Sequence, residues 1–145
     1  MFKIGFSCFA NCYNLRKLEL PDSIKEMWKG SFSNCHNLET INIPASLNFI
    51  SDNTFENCIN LKGPLKISDS ITEIGANAFY NCSKLSGDLI IPDSVTKIGD
   101  LSFFGCSLLE TVKFGENLIS IGEKSFLNCN KLSGTLIITN SVTSI

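Results

Sequence analysis

The chain has 145 residues, of which 43% are hydrophobic and 18% charged, and its formal net charge is -2. It has the length of one domain and is too apolar for disorder, and its near-neutral charge argues against a nucleic-acid partner. No apolar run approaches the ~18 residues of a membrane-crossing helix, and the opening MFKIGFSCFANC lacks the apolar stretch of a secretory leader, so neither feature is expected in this segment.

A partial unit, Met1 to Cys8, leads into six units that open at Phe9, Phe32, Phe55, Phe79, Phe103 and Phe126, in steps of 23, 23, 24, 24 and 23. Three residues after each phenylalanine stands Cys12, Cys35, Cys58, Cys82, Cys106 or Cys129, and three further on Leu15, Leu38, Leu61, Leu85, Leu109 or Leu132. Asn11, Asn34, Asn57, Asn81 and Asn128 precede their cysteines, and Gly105 takes that place in the fifth unit. The second halves align without gaps as LELPDSIKEM, INIPASLNFI, LKISDSITEI, LIIPDSVTKI, VKFGENLISI and LIITNSVTSI. One residue is inserted in LKGPL, LSGDL and LSGTL.

A constant register over six units specifies a parallel solenoid, in which each coil buries its apolar edge against its neighbours. Within a unit the order of expected elements is a turn, a strand, a second turn and a corner. The stretch that ends in F-x-N-C is long enough for about one helical or 3₁₀ turn, and its asparagine is expected to satisfy buried backbone groups. The x-L-x-[LI] segment has a strand's period of two. Stacked in register, these segments predict one parallel sheet with ~4.8 Å between strands. The proline of P-D-S ends the strand, and the glycine of I-G (Gly75, Gly99, Gly122) is expected to take a positive φ at the corner. Trp28 and Ser51 replace that glycine in two units.

The repeat resembles the BspA-type leucine-rich repeat family over essentially the whole chain. The closest motifs are A-F-Y-N-C at Ala78 to Cys82 and I-I-P-D-S-V-T-K-I-G at Ile90 to Gly99. The resemblance implies a right-handed solenoid with a concave parallel sheet. It also implies a surface protein of bacteria or protozoan parasites that adheres to or binds other proteins. The chain reads as a single leucine-rich-repeat domain over residues 1–145. Neither end shows a polar cap, so it is expected to be a piece of a longer chain or to self-associate through the solenoid ends or the apolar stripe below.

Catalytic and metal chemistry find no foothold in the pattern. Cysteines 23 or 24 residues apart do not have zinc-ligand spacing and are expected to form a buried, reduced ladder, with Cys8 in the small-residue column ahead of the phenylalanine. His36 is the only histidine and lies in a mixed column without an orienting carboxylate or nucleophile. Asp22, Asp69 and Asp93 are expected to serve local Asx turns rather than calcium. The sequon Asn81-Cys82-Ser83 falls on the ladders and is expected to stay unmodified. No cofactor is implied.

The outward positions are what remain for function. On the concave strand they are Lys17 and Glu19, Thr40 and Asn42, Pro64 and Lys66, Asp88 and Ile90, Thr111 and Lys113, and Thr135 and Ile137. Their charges nearly cancel, which argues against a polyanion. Tyr80, Phe104 and Leu127 follow the phenylalanine on consecutive coils and form an apolar stripe; Phe49 and Ile119 also point outward. Six strands make a concave strip of ~250 Å², well below the ~800 Å² per partner of a stable interface. The expected function is therefore non-catalytic binding of a protein ligand, adhesin-like at the cell surface or secreted, with an intracellular (cytoplasmic) scaffold of the same fold as the alternative and an enzyme without support.

Overall fold

Each unit folds into one coil, and the coils stack through two sets of short parallel strands. The computed structural model describes residues 2–145. In chain order the strands are β1 (Phe2–Ile4), β2 (Lys17–Leu18), β3 (Ile24–Met27), β4 (Thr40–Ile41), β5 (Phe49–Ile50), β6 (Glu73–Ile74), β7 (Ser86–Ile90), β8 (Lys97–Ile98), β9 (Leu108–Lys113) and β10 (Ser120–Ile121). All pair in parallel, each with the equivalent segment of a neighbouring coil.

The core is the set of repeated columns. Phe32, Phe55, Phe79 and Phe103 are fully buried, and so are Cys35, Cys58, Cys82 and Cys106. From Phe9 to Phe126 successive rings stack nearly parallel, with centroids 5.3 to 5.7 Å apart. Each such pair adds ~0.5–1.5 kcal/mol beyond its buried area.

The expected helical or 3₁₀ turn does not form: among the described residues there is no helix of either kind. The reason lies in where the N–H groups go. Asn77, Phe79 and Asn81 donate to Asp100, Ser102 and Phe104 of the next coil. The residues between them, Ala78, Tyr80 and Cys82, donate three residues back within their own coil. A helix would need every N–H for itself, whereas this corner spends every second one on the neighbouring coil and becomes a run of tight turns. The turns need left-handed residues, supplied by Asn11, Asn34, Asn57, Asn81 and Asn128 at φ 56 to 64°. Asparagine tolerates that region better than most residues. Gly105, at φ 72°, is therefore an equivalent rather than an exception. The asparagine side chains do not serve buried backbone groups. They hydrogen-bond one another instead, Asn34 to Asn11, Asn57 to Asn34 and Asn81 to Asn57, at 2.9 to 3.3 Å.

The corner glycines also work differently from expectation. Gly75, Gly99 and Gly122 do not have a positive φ. A Cβ on Gly75 or Gly99 would lie 2.5 Å from a backbone nitrogen of the preceding coil, so glycine is there for close approach. Where Ser51 occupies this corner, its hydroxyl donates to the Met27 carbonyl of the preceding coil. The second-strand sheet is interrupted at that step, with β1 and β3 on one side and β5, β6, β8 and β10 on the other.

The first-strand sheet is not continuous either. It consists of the pair β2–β4 and the pair β7–β9, and neither the segment 64–67 between them nor the sixth unit's segment 135–138, expected as a strand, belongs to one. The unit of residues 64–67 carries the inserted Gly63 and follows a unit without insertion. Between β7 and β9 the same one-residue difference is absorbed by a register shift at Gly87/Asp88, with Gly87 at φ 80°. Pro64 has no N–H for the ladder, and at the equivalent Gly134–Thr135 step, where the N–H is present, the chain forms no strand either.

Phe79→Ala should lower stability by ~3–5 kcal/mol in a denaturant melt, because the ring is fully buried between two others. Gly99→Ala should also destabilise. Lys124 is exposed at φ 55°, so Lys124→Gly should instead raise stability by up to ~1 kcal/mol.

Candidate binding face

The first-strand face carries the outward residues in the order expected, all of them exposed. Several are already committed to contacts within the solenoid. Lys17 and Glu19 form an ion pair at 2.7 Å, which raises the lysine pKa and lowers that of the carboxylate through their hydrogen bond. The Asn42 amide donates to Leu20 O at 2.7 Å and accepts from Leu20 N at 2.8 Å. Asn42 therefore continues the β2–β4 ladder by one side-chain rung and is less available to a partner than its column suggests. Thr111 donates to Asp88 Oδ1 at 2.6 Å. Lys66 and Lys113 form no ion pair among the described residues, and Ile90 (59% exposed) and Ile137 (70%) are the apolar members of the face. Beside the strands, Lys62 reaches back to Glu39 at 2.6 Å and Lys131 to Glu110 at 3.0 Å. Lys62 holds the Glu39 carboxyl below its usual pKa.

The parting of the coils at residues 64–67 opens a cleft of about 580 Å³ on this face. Thr40 to Ile43 line one wall and Gly63 to Ile67 the other, with Leu61 and Leu85 at its floor. Ile41 and Ile43 belong to core columns, yet they are only half-buried here, whereas their counterparts Leu89 and Ile91 are sealed. Both alternate with the outward Thr40 and Asn42 and so occupy inward positions of their strand segment. The available signal for the opening was an insertion-bearing unit after an insertion-free one, with a proline at the point of re-pairing.

The apolar stripe is brought together only in part. Tyr80 and Phe104 stack at 4.8 Å and are half-buried, while Leu127 is 48% exposed and outside that stack. Phe49 and Ile119 point outward from the second-strand sheet. Phe49 borders a separate hollow of about 420 Å³ with Phe6, Trp28 and Glu73. His36 is half-buried against the Tyr13 ring, 5.1 Å between centroids.

The aspartates do not form the local Asx turns expected of them. Asp22 accepts from Ala45 N and Asp93 from Glu116 N, each in the next coil, at 3.0 and 2.8 Å. Asp52 and Asp100, which the sequence did not single out, do the same at the other corner, toward Ala76 N and Glu123 N. Among the described residues no cluster of metal-ligating side chains is present, and no helix is long and apolar enough to cross a membrane.

The cysteine column is both core and hydrogen-bond ladder. The thiols of Cys35, Cys58, Cys82, Cys106 and Cys129 donate to the carbonyls of Phe9, Phe32, Phe55, Phe79 and Phe103 at 3.1 to 3.3 Å. Phe55 O, for example, accepts both Cys58 N from its own coil and Cys82 Sγ from the next. A small apolar side chain with one weak donor suits this position. Burial pushes the Cys35 and Cys129 thiols up to about 11 and those of Cys58, Cys82 and Cys106 higher still.

This combination of a phenylalanine-cysteine spine, left-handed asparagine turns and paired parallel strands matches six copies of the BspA type leucine rich repeat region, over residues 1–87 and 72–145. The chain belongs to that family. Among solved structures it is similar to a leucine-rich repeat protein of Bacteroides ovatus, with 28% identity and a TM-score of 0.74, covering 97% of this chain and 42% of that one. A leucine-rich cell surface protein of Faecalibacterium prausnitzii is 32% identical at a TM-score of 0.71, covering 77% of this chain and 29% of that one. The T. pallidum leucine-rich repeat protein shares the fold at 24% identity and a TM-score of 0.77, covering 90% of this chain and 71% of that one. The leucine-rich repeat chain thus spans less than half of the Bacteroides chain and under a third of the Faecalibacterium chain. No curated protein matches it.

A thiol reagent at mildly alkaline pH should reach exposed Cys8 first and half-buried Cys12 next, with Cys58, Cys82 and Cys106 reacting only on unfolding. Thiols with a raised folded pKa stay protonated while those of the unfolded chain ionise. The unfolded state then binds fewer protons, and stability falls as pH rises. The urea midpoint should therefore decline between the ordinary thiol value of 9.0 and about 11, the folded value for Cys35 and Cys129.

Proposed function

We propose that this leucine-rich-repeat segment binds a protein ligand through its first-strand face, as part of an adhesin-like protein of the cell surface. The family is a protein-interaction scaffold and generally non-catalytic. The observation that carries the reading is how the side chains divide. The repeated residues, Phe, Cys, Asn and Leu, are consumed by coil-to-coil contacts. The outward positions of the first strand differ from coil to coil: lysine and glutamate, then threonine and asparagine, then proline and lysine.

A regular frame carrying an irregular face is an arrangement for recognition. The surface location draws support from the Faecalibacterium relative, which is described as a cell surface protein. The strip formed by this face is small, ~250 Å², so a tight complex also takes in the flanks or further coils.

The test is capture from host-cell and matrix proteins by the immobilised chain, compared with a Lys66→Glu/Lys113→Glu variant. Both lysines are exposed and form no ion pair among the described residues, so the variant should melt like the parent and lose most of the captured protein. Equal capture by the two would place the binding surface elsewhere.

A further inference from the structure

At the cleft between β4 and residues 64–67, main-chain groups as well as side chains are free to recognise a ligand, and an apolar-lined hollow lies beside them. The last ladder bond between these coils is Lys62 N to Glu39 O, and the next backbone bond is Thr72 N to Asn48 O. Between them, the main chain of Pro64 to Ile67 makes no hydrogen bond to either neighbouring coil. Ser86 N to Gly63 O is the final bond on the far side before the same gap. β4 pairs only with β2, so its other edge is open toward the cleft. Unpaired strand edges are templates for an added strand, and main-chain bonds from a sheet edge, combined with pockets for alternate side chains, are how extended peptides are held.

The side chains at the site narrow the ligand. Ile41, Ile43, Leu65 and Ile67 make the lining apolar. Lys66 is exposed and lacks an acidic partner among the described residues, while the adjacent Lys62 is neutralised by Glu39. Water alone could satisfy the free N–H and C=O groups but not the apolar lining. A strand whose side chains alternate between apolar and acidic satisfies both and places a carboxylate near Lys66.

We propose that this cleft binds an extended peptide by strand addition, with alternating apolar and acidic side chains and main-chain hydrogen bonds to the free edge at residues 64–67. The proposal rests on the protein-interaction reading above and specifies one site within it.

The probe is an N-acetylated, fluorescein-labelled hexapeptide of alternating valine and glutamate. Its control is the same peptide with its edge-facing amides N-methylated. Binding is read by fluorescence polarisation, and amide hydrogen exchange is followed by NMR. In the free protein the Leu65, Lys66 and Ile67 amides should exchange much faster than those of β7. The peptide should slow them, and the N-methylated control should not bind. Lys66→Glu should weaken the complex roughly threefold to tenfold, within the range of an exposed charge contact.

Protected amides in the free protein would show that the coils are closed, and would overturn the proposal. So would no binding at about 1 mM peptide, a limit corresponding to ~4 kcal/mol, equal binding of the N-methylated control, or binding that leaves residues 65–67 exchanging freely. A captured protein that is lost with the Lys66→Glu/Lys113→Glu variant, yet does not protect these amides, would leave the interaction reading standing and overturn only the cleft.

Discussion

The spacing between successive phenylalanine rings sets the geometry to which the rest of the solenoid conforms. Rings stacked nearly face to face at 5.3 to 5.7 Å require each coil to sit directly over the last. That superposition puts each cysteine thiol within reach of the preceding phenylalanine carbonyl and brings the asparagine amides of Asn11 to Asn81 into a chain. It also explains the turns. A corner in which Phe79 N and Asn81 N must reach the next coil cannot keep those N–H groups for a helix. The same superposition brings backbones so close at Gly75 and Gly99 that a Cβ has no room.

A stack this regular has little tolerance for coils of unequal length, and the inserted glycines test it. At Gly87 the additional residue is taken up in a bulge, and β7 and β9 remain paired for five residue pairs. At Gly63 the following Pro64 cannot donate to a ladder, and no backbone bond joins the coils again until Thr72, although Ser70 Oγ already donates to Leu47 O at 2.7 Å. The same kind of insertion thus yields a repaired sheet in one place and an open cleft in another. Gly87 lies in the coil before its insertion-free partner, whereas Gly63 and Gly134 lie in the coil after theirs, and neither 64–67 nor 135–138 forms a strand.

This division of labour also bears on how such a protein acquires a binding surface. The inward columns are fully engaged, so variation there carries a cavity or packing cost. The outward positions bear almost none of the stacking load. Within them, however, exposure and availability are not the same thing. Lys17, Asn42 and Asp88 are exposed and hydrogen-bonded within the solenoid, whereas Lys66, Ile90 and Lys113 are exposed without such bonds.

The sequence by itself determined the solenoid, its register and the inward columns, because stacked identical coils place identical residues on one another, and that repetition can be read without coordinates. It also identified which residues face outward, because a strand alternates its two faces. Only the tertiary structure decided how the corners are made. Whether Asn81 or Gly99 carries the positive φ depends on which N–H groups cross to the next coil, and Asp22 or Asp93 capping a neighbour rather than its own turn depends on a residue more than twenty positions away. The opening at residues 64–67 was settled at the same level. A mismatch between neighbouring coils is a property of the pair, so Ile41 and Ile43 hold inward positions in their own unit and become the wall of a cleft only when the next coil fails to close over them.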